Sequence, residues 1–279
     1  MNAQTRIYPA AVTASLNFQR PMAGRPVSYQ YDPPPGVPQR TGDFDAHAVA
    51  IRNARPLAAG LSLDVEGFTL LHAQSGFADF QDDEAIGSSY YPEVERLLMA
   101  ATGAAPVIAF DHNVRNAARA ARGEAGIRGP VPNVHNDFTL RSGPERARRE
   151  LELRGLDAAA LLQRRFAIVN LWRPIGRAVE KSPLALGDAR TIAAEDLVTV
   201  DLVYRDRMGE TYALRHNPAQ GWYFFPRLTP DEAILIKSYE SDMQAARFSP
   251  HAAFDDPISP SDAPERESIE TRALVIHAD

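Results

Sequence analysis

Cysteine is absent from all 279 residues of the chain. That absence excludes a disulfide framework, a thiolate nucleophile, cysteine-ligated zinc and an iron–sulfur cluster. Any metal must therefore be held by histidine and carboxylate, and the chain offers 7 histidines. Long apolar runs are lacking as well. The longest charge-free apolar stretch, Leu97–Phe110, is interrupted by Gly103 and Pro106 and is too short to cross a bilayer. The first residues, MNAQTRIYPAAV, have neither the basic flank nor the apolar core of a signal peptide, so a cytoplasmic location is expected. An excess of positive charge is missing too. The 30 Lys and Arg are outnumbered by 36 Asp and Glu, for a net charge of −6, which speaks against a dedicated nucleic-acid or membrane-surface binder.

What the chain has instead is a core-forming composition, 44% hydrophobic and 24% charged, and an unusual 22 prolines. Seven of these, from Pro9 to Pro38, fall within residues 1–42, with DPPPG as a polyproline-like piece. Such a segment cannot form long helices. It is expected to lie extended over the surface as an N-terminal arm, with a disordered tail as the competing reading. Residues 43–279 read as one domain. HAVAIRNAR, LSLDVEGFTLLHA and APVIAFDHNVR have the texture of strands. YPEVERLLMAA places Val94, Leu97, Leu98 and Ala101 on one helical face, with Pro92 in the first turn. A second helix is expected over 143–165, burying Leu151, Leu153, Leu156, Leu161 and Leu162. Short strands follow to the end: RFAIVNLWRPI, DLVTVDLVYRD, ETYALRHN, GWYFFPRL, DEAILIKSYES and ESIETRALVIHA. Many closely spaced strands after a few helices predict a mainly β (α+β) fold, a jelly-roll or barrel core with helices packed outside.

With cysteine gone, His-x-Asp is the pattern to look for, and it occurs at His135 and Asp137 in PNVHNDFT. On a strand, residues i and i+2 share a face, so both side chains could reach one ion. A distant second histidine would complete a two-histidine, one-carboxylate facial triad, which leaves coordination positions open and suits non-haem Fe(II) with dioxygen. His251, in SPHAAFDDP, and His216, in ALRHNPAQG, compete for that role. Arg266 and Ser268 lie fifteen and seventeen residues beyond His251 and share a strand face. A guanidinium beside a hydroxyl can grip a dicarboxylate through charge-assisted hydrogen bonds.

The stretches YYPEVERLL, VHNDFT, VNLWRP followed by PLALGD, HNPAQGWYFFP, DEAILIKSYES, PHAAFDDP and ERESIETRALV together resemble Fe(II)/2-oxoglutarate-dependent oxygenases. More narrowly, they are similar to the family of cephamycin 7α-methoxylation proteins, fungal endoperoxide-forming and desaturating oxygenases and gibberellin desaturase-like hydroxylases. The resemblance runs from about Leu61 to His277. It implies a double-stranded β-helix core of the cupin-like type. It also implies Fe(II) held by His135, Asp137 and His251, with 2-oxoglutarate gripped by Arg266 assisted by Ser268, and O2 as the third reactant. The implied activity is hydroxylation or desaturation of a small organic, secondary-metabolite substrate, releasing succinate and CO2.

Arg272 shares the face of Arg266, Ser268 and Glu270, so it is an alternative carboxylate-binding arginine. Asn170 and Trp172 fit core packing best, with pocket-lining beside the metal as the sharper reading and Arg173 as a contact to an acidic substrate. Lys237 and Tyr239 share a face and read as surface residues, with contact to the co-substrate as the inward alternative. Asp111, His112 and Arg115 read as a buried hydrogen-bonding group rather than a second metal site. Asp255 and Asp256 read as a turn before Pro257. A catalytically silent accessory subunit working with a partner enzyme, and a metal-dependent hydrolase or isomerase on the same scaffold, are the other function classes. A homo-oligomer stays open.

Overall fold

The computed structural model describes residues 8–278. Its first strands are β1 (Ala11–Gln19), β2 (Val27–Tyr29), β3 (Phe44–Asn53) and β4 (Phe68–His72). Helices α1 (Asp83–Ala85) and α2 (Tyr91–Thr102) lead into β5 (Val107–Asn116), α3 (Ala117–Ala121), β6 (Ile127–Arg128) and β7 (His135–Asn136). Helices α4 (Ser142–Leu153) and α5 (Ala158–Leu161) precede β8 (Phe166–Pro174), β9 (Leu184–Gly187), β10 (Leu197–Val203) and β11 (Met208–Leu214). The chain then runs through β12 (Trp222–Phe224), β13 (Glu232–Glu240), β14 (His251–Ala253) and β15 (Glu267–Ile276).

Two curled sheets result. One has nine strands in the order β1-β3-β12-β9-β14-β7-β11-β10-β2, the other six in the order β4-β13-β8-β15-β5-β6. The apolar runs of β8, β13 and β15 are explained by their central places in the smaller sheet, where both faces are buried. On its outer face Val169, Leu171, Leu235 and Ile269 meet Val94 and Leu98 of α2, the helical stripe expected from the spacing. Gly103, in the left-handed conformation at φ 68°, ends that helix. On the inner face Trp172, Ile234 and Ile236 meet Leu186, Tyr223 and Phe225 from the larger sheet.

The structure corrects several expectations. The N-terminal segment is extended, as its prolines require, but from β1 onward it belongs to the sheet instead of lying over it. β1 pairs with β3 along nine residues and buries Leu16 and Phe18 among Trp222, Leu214 and Ala252. Its alternation of apolar and polar residues, between Pro9 and Pro21, is a strand pattern that the surrounding proline density masks. Residues 1–7 of the expected arm lie outside the described residues.

The helix expected over 143–165 is two. Gly155 at φ 67° closes the first, and Asp157 caps the second by accepting from the Ala160 amide. Leu151 is buried as expected, but Leu153 is 68% and Leu156 40% exposed, because the break takes them off the packed face. Within LSLDVEGFTLLHA only β4 is a strand; the residues before it form turns around Gly67. Lys237 and Tyr239 are not surface residues. Lys237 Nζ is buried against Glu240 Oε2 at 2.6 Å and Asp64 Oδ1 at 2.8 Å, and Tyr239 stacks on Phe166. Burial of this lysine is tolerated because both its carboxylate partners come with it.

Candidate metal centre

β7 and β14 are neighbours in the larger sheet, and their register sets His135 directly opposite His251. The ring centroids are 4.7 Å apart, and Asp137, two residues beyond His135, turns back onto the same face. One ligand atom from each of His135, Asp137 and His251 lies within 4.8 Å of the others, so a single ion could touch all three. No other such group of metal-binding side chains occurs among the described residues.

Hydrogen bonding fixes which atoms face that point. His135 Nδ1 lies 2.9 Å from the Asn133 carbonyl and His251 Nδ1 lies 3.2 Å from the Ser249 carbonyl. Carbonyls only accept, so each Nδ1 carries a proton, and in the neutral ring each Nε2 presents its lone pair inward. His251 Nε2 is buried without a hydrogen-bond partner. Asp137 is similarly divided. Its Oδ2 accepts from Asn170 Nδ2 at 2.6 Å and from Arg272 Nε at 2.8 Å, while Oδ1 is turned to His135 Nε2 at 3.8 Å. Two committed imidazoles and one half-committed carboxylate leave a nitrogen–nitrogen–oxygen donor set that fits a divalent iron.

The electrostatics follow the same arrangement. Burial pushes His135 down to about 4, helped by the neighbouring His251. Burial raises the Asp137 carboxyl, but Arg272, His251 and His135 outweigh it and hold it well below the usual carboxylate range. Burial lowers His251, and Glu270 more than restores it. Glu270 Oε1 stands 3.5 Å from His251 Nε2 and accepts from Asn170 Nδ2 at 2.7 Å.

The structure distinguishes the two candidate arginines. Arg272 is committed: besides Asp137 it donates to Asp111 Oδ1 at 2.8 Å. Arg266 is buried, donates through Nη1 to the Ser182 carbonyl at 2.5 Å and lies over Trp172 with 5.2 Å between guanidinium carbon and ring centroid. Its Nε, like Ser268 Oγ, is buried without a partner. Burial and the charge of Arg115 pull Arg266 down to about 9, so it stands as a desolvated cation with a donor to spare.

The other candidates separate cleanly. Asn170 does line the centre, through its bonds to Asp137 and Glu270, with Ser238 Oγ donating to its Oδ1 at 3.0 Å. Trp172 belongs to the core and to Arg266. Arg173 does not reach an interior substrate: alternation along β8 sends it to the opposite face, where it meets Glu93 at 3.4 Å and the Tyr90 ring. His216 is stacked on His47 at 4.0 Å and lies outside the group formed by His135, Asp137 and His251. Asp111 and His112 are hydrogen-bonding residues as expected, to Arg272 and to Tyr91 respectively, but only half-buried, and Asp256 Oδ1 accepts from the Ile258 amide in a turn. Glu270 was missed as a member of the centre. Its signal was present, because it follows Ser268 by two residues on the same strand face.

A curled jelly-roll sandwich carrying His-x-Asp on one strand and a histidine on the next defines a class of iron oxygenases built on double-stranded β-helices. The family profile described as "Oxidoreductase/YMDC permease-like domain" matches residues 16–276. The chain is 35% identical to the Fe(II)/2-oxoglutarate-dependent dioxygenase nvfI of Aspergillus novofumigatus, covering 94% of this chain and 95% of that one. It is 32% identical to the hydroxylase/desaturase efuI of Hormonema carpetanum, with 85% of each chain covered. The solved structure of the iron and alpha-ketoglutarate-dependent endoperoxidase NvfI superposes with a TM-score of 0.86 at 30% identity, over 97% of this chain and 99% of that one. The chain belongs to the family of Fe(II)/2-oxoglutarate-dependent dioxygenases.

Proposed function

We propose that this protein hydroxylates or desaturates a small organic molecule of secondary metabolism, consuming 2-oxoglutarate and O2 and releasing succinate and CO2. The observation that carries this reading is the convergence of His135, Asp137 and His251, with inward Nε2 and Oδ1 atoms, next to a buried and under-partnered Arg266. His135, Asp137 and His251 would hold the iron. Bound there, Fe(II) supplies dioxygen activation coupled to oxidative decarboxylation of the co-substrate.

The chain's own residues do the rest. Arg266 and Ser268 supply spare donors for the distal carboxylate of 2-oxoglutarate, which fixes the direction from which its 2-oxo acid end approaches the centre. Asn170 and Arg272 hold Oδ2 of Asp137, so that Oδ1 is the oxygen presented. Trp172 covers the guanidinium of Arg266 and keeps water from it. The finished ligand set, with its orienting carbonyls, favours catalysis over an accessory role.

Purified protein titrated with Fe(II) and 2-oxoglutarate without oxygen should develop a visible metal-to-ligand charge-transfer band, and oxygenation should release succinate. His135→Ala should abolish iron binding and 2-oxoglutarate turnover together. Turnover retained in that variant would remove the proposal.

A further inference from the structure

A cavity of about 740 Å³ opens beside the metal centre, lined by His135 and Asp137 and by the apolar Val27, Phe44 and Val200. Of the arginines in its wall, two near the centre are already committed. Arg272 is held by Asp137 and Asp111, and Arg146 by Glu150 at 2.9 Å and Asp111 at 3.5 Å. Arg115 and Arg128 are not. Arg115 is 9% exposed, and its hydrogen bond is from Nη1 to the Gly129 carbonyl at 3.0 Å, with no ion pair. Arg128 lines the same cavity, and its side chain makes no hydrogen bond or ion pair with the described residues.

These two are cross-strand partners: β5 and β6 run parallel with Arg115 opposite Arg128. Partners in a ladder point to the same face, so two like charges share one side of the sheet, an unfavourable pairing that a bound anion would relieve. The opposite neighbour of Arg115 on β15 is Ser268, which places it at the junction of the cavity and the proposed co-substrate pocket. Burial, Arg272 and Arg128 all disfavour the charge on Arg115, with Glu270 and Asp137 opposing them and the net direction downward. Leaving a buried guanidinium without a carboxylate is costly, and a bound acid removes that cost.

We propose that the organic substrate is a carboxylic acid, and that Arg115 with Arg128 grips its carboxylate inside the cavity, separately from the 2-oxoglutarate carboxylate at Arg266. This rests on the oxygenase reading of the site. The apolar residues of the cavity wall would cover the hydrocarbon part of that acid.

The test uses 4-phenylbutanoate and its neutral amide as probes, titrated calorimetrically into full-length protein saturated with Fe(II) and 2-oxoglutarate under anaerobic conditions. The acid should bind about tenfold or more tightly than the amide, the size expected for charge-assisted hydrogen bonds. Arg115→Met should erase the preference and change 2-oxoglutarate affinity far less than Arg266→Met does. Arg128→Ala, at an exposed position where folding is not at stake, should reduce it several-fold. No preference for the acid in the wild type, or a preference that survives both substitutions, overturns the proposal. So does a loss of 2-oxoglutarate affinity in Arg115→Met as large as that in Arg266→Met, which would assign Arg115 to the co-substrate. A wild type that binds no iron or 2-oxoglutarate faults the oxygenase reading instead, and the comparison of acid with amide remains readable on that protein.

Discussion

Arg272 donates through Nε to Oδ2 of Asp137 at 2.8 Å, a cation placed against a carboxylate that faces two imidazoles. The contact takes one carboxylate oxygen out of play and orients the other. Arg272→Met should therefore lower Fe(II) affinity, by about 10- to 100-fold, as removal of partners that orient metal ligands generally does. Affinity for 2-oxoglutarate in the iron-saturated variant should stay near that of the wild type. A selective rise in the KM for 2-oxoglutarate would instead make Arg272 the carboxylate-gripping residue.

Arg266 has the complementary signature. Arg266→Met should raise the KM for 2-oxoglutarate about tenfold to a hundredfold, the loss expected for hydrogen bonds to a charged group. Slow decarboxylation of 2-oxobutyrate, which has no distal carboxylate, should be affected far less. Equal losses on both 2-oxo acids would mean that Arg266 acts on the centre itself rather than on the far end of the co-substrate.

The N-terminal strand is open to a direct check. Phe18 is fully buried against Trp222 and His216. Phe18→Ala should cost about 3–5 kcal/mol of unfolding free energy, as aromatic truncation in a core does. Denaturant unfolding would reveal it, and a change below about 0.5 kcal/mol, typical of a surface position, would restore the view of this segment as an arm.

Acid should weaken the fold at a defined place. Burial raises the Glu232 carboxyl, but hydrogen bonds from Arg55 and Thr229 outweigh it and bring it down to about 2 from an ordinary 4.5. A carboxylate whose pKa is lower in the folded state contributes stability that is complete above its unfolded value. That contribution is lost as the pH falls from 4.5 toward 2. The loss should be on the order of 2 kcal/mol, and Glu232→Gln should flatten that part of the stability–pH curve. An unchanged acid limb in the variant would show that other carboxylates carry the effect.

Much of the site was legible because it obeys short-range rules. His135 and Asp137 are two apart, Arg266 and Ser268 are two apart, and a two-residue period puts each pair on one face wherever the segment is extended. Helix α2 was legible for a similar reason, since its apolar stripe repeats at helical spacing and Gly103 ends it. β1 was not, because proline density describes the neighbourhood of a strand and not the strand. The burial of Lys237 was hidden too. Its near partner Glu240 is three residues along the same strand, but the second carboxylate, Asp64, is 173 residues away in the chain, and no local pattern announces that it will arrive.

The sequence by itself determined which side chains could carry the chemistry, by removing cysteine and supplying His-x-Asp, a later histidine and Arg-x-Ser in strand-like stretches. Only the tertiary structure brought His251 and not His216 beside His135 and Asp137, left Arg266 and not Arg272 with an unpartnered donor, and set Arg173 on the far side of β8. Those choices depend on which strands become neighbours and which donors are already satisfied. The register that sets His251 across from His135 is fixed by packing over more than a hundred intervening residues, beyond the reach of any local pattern.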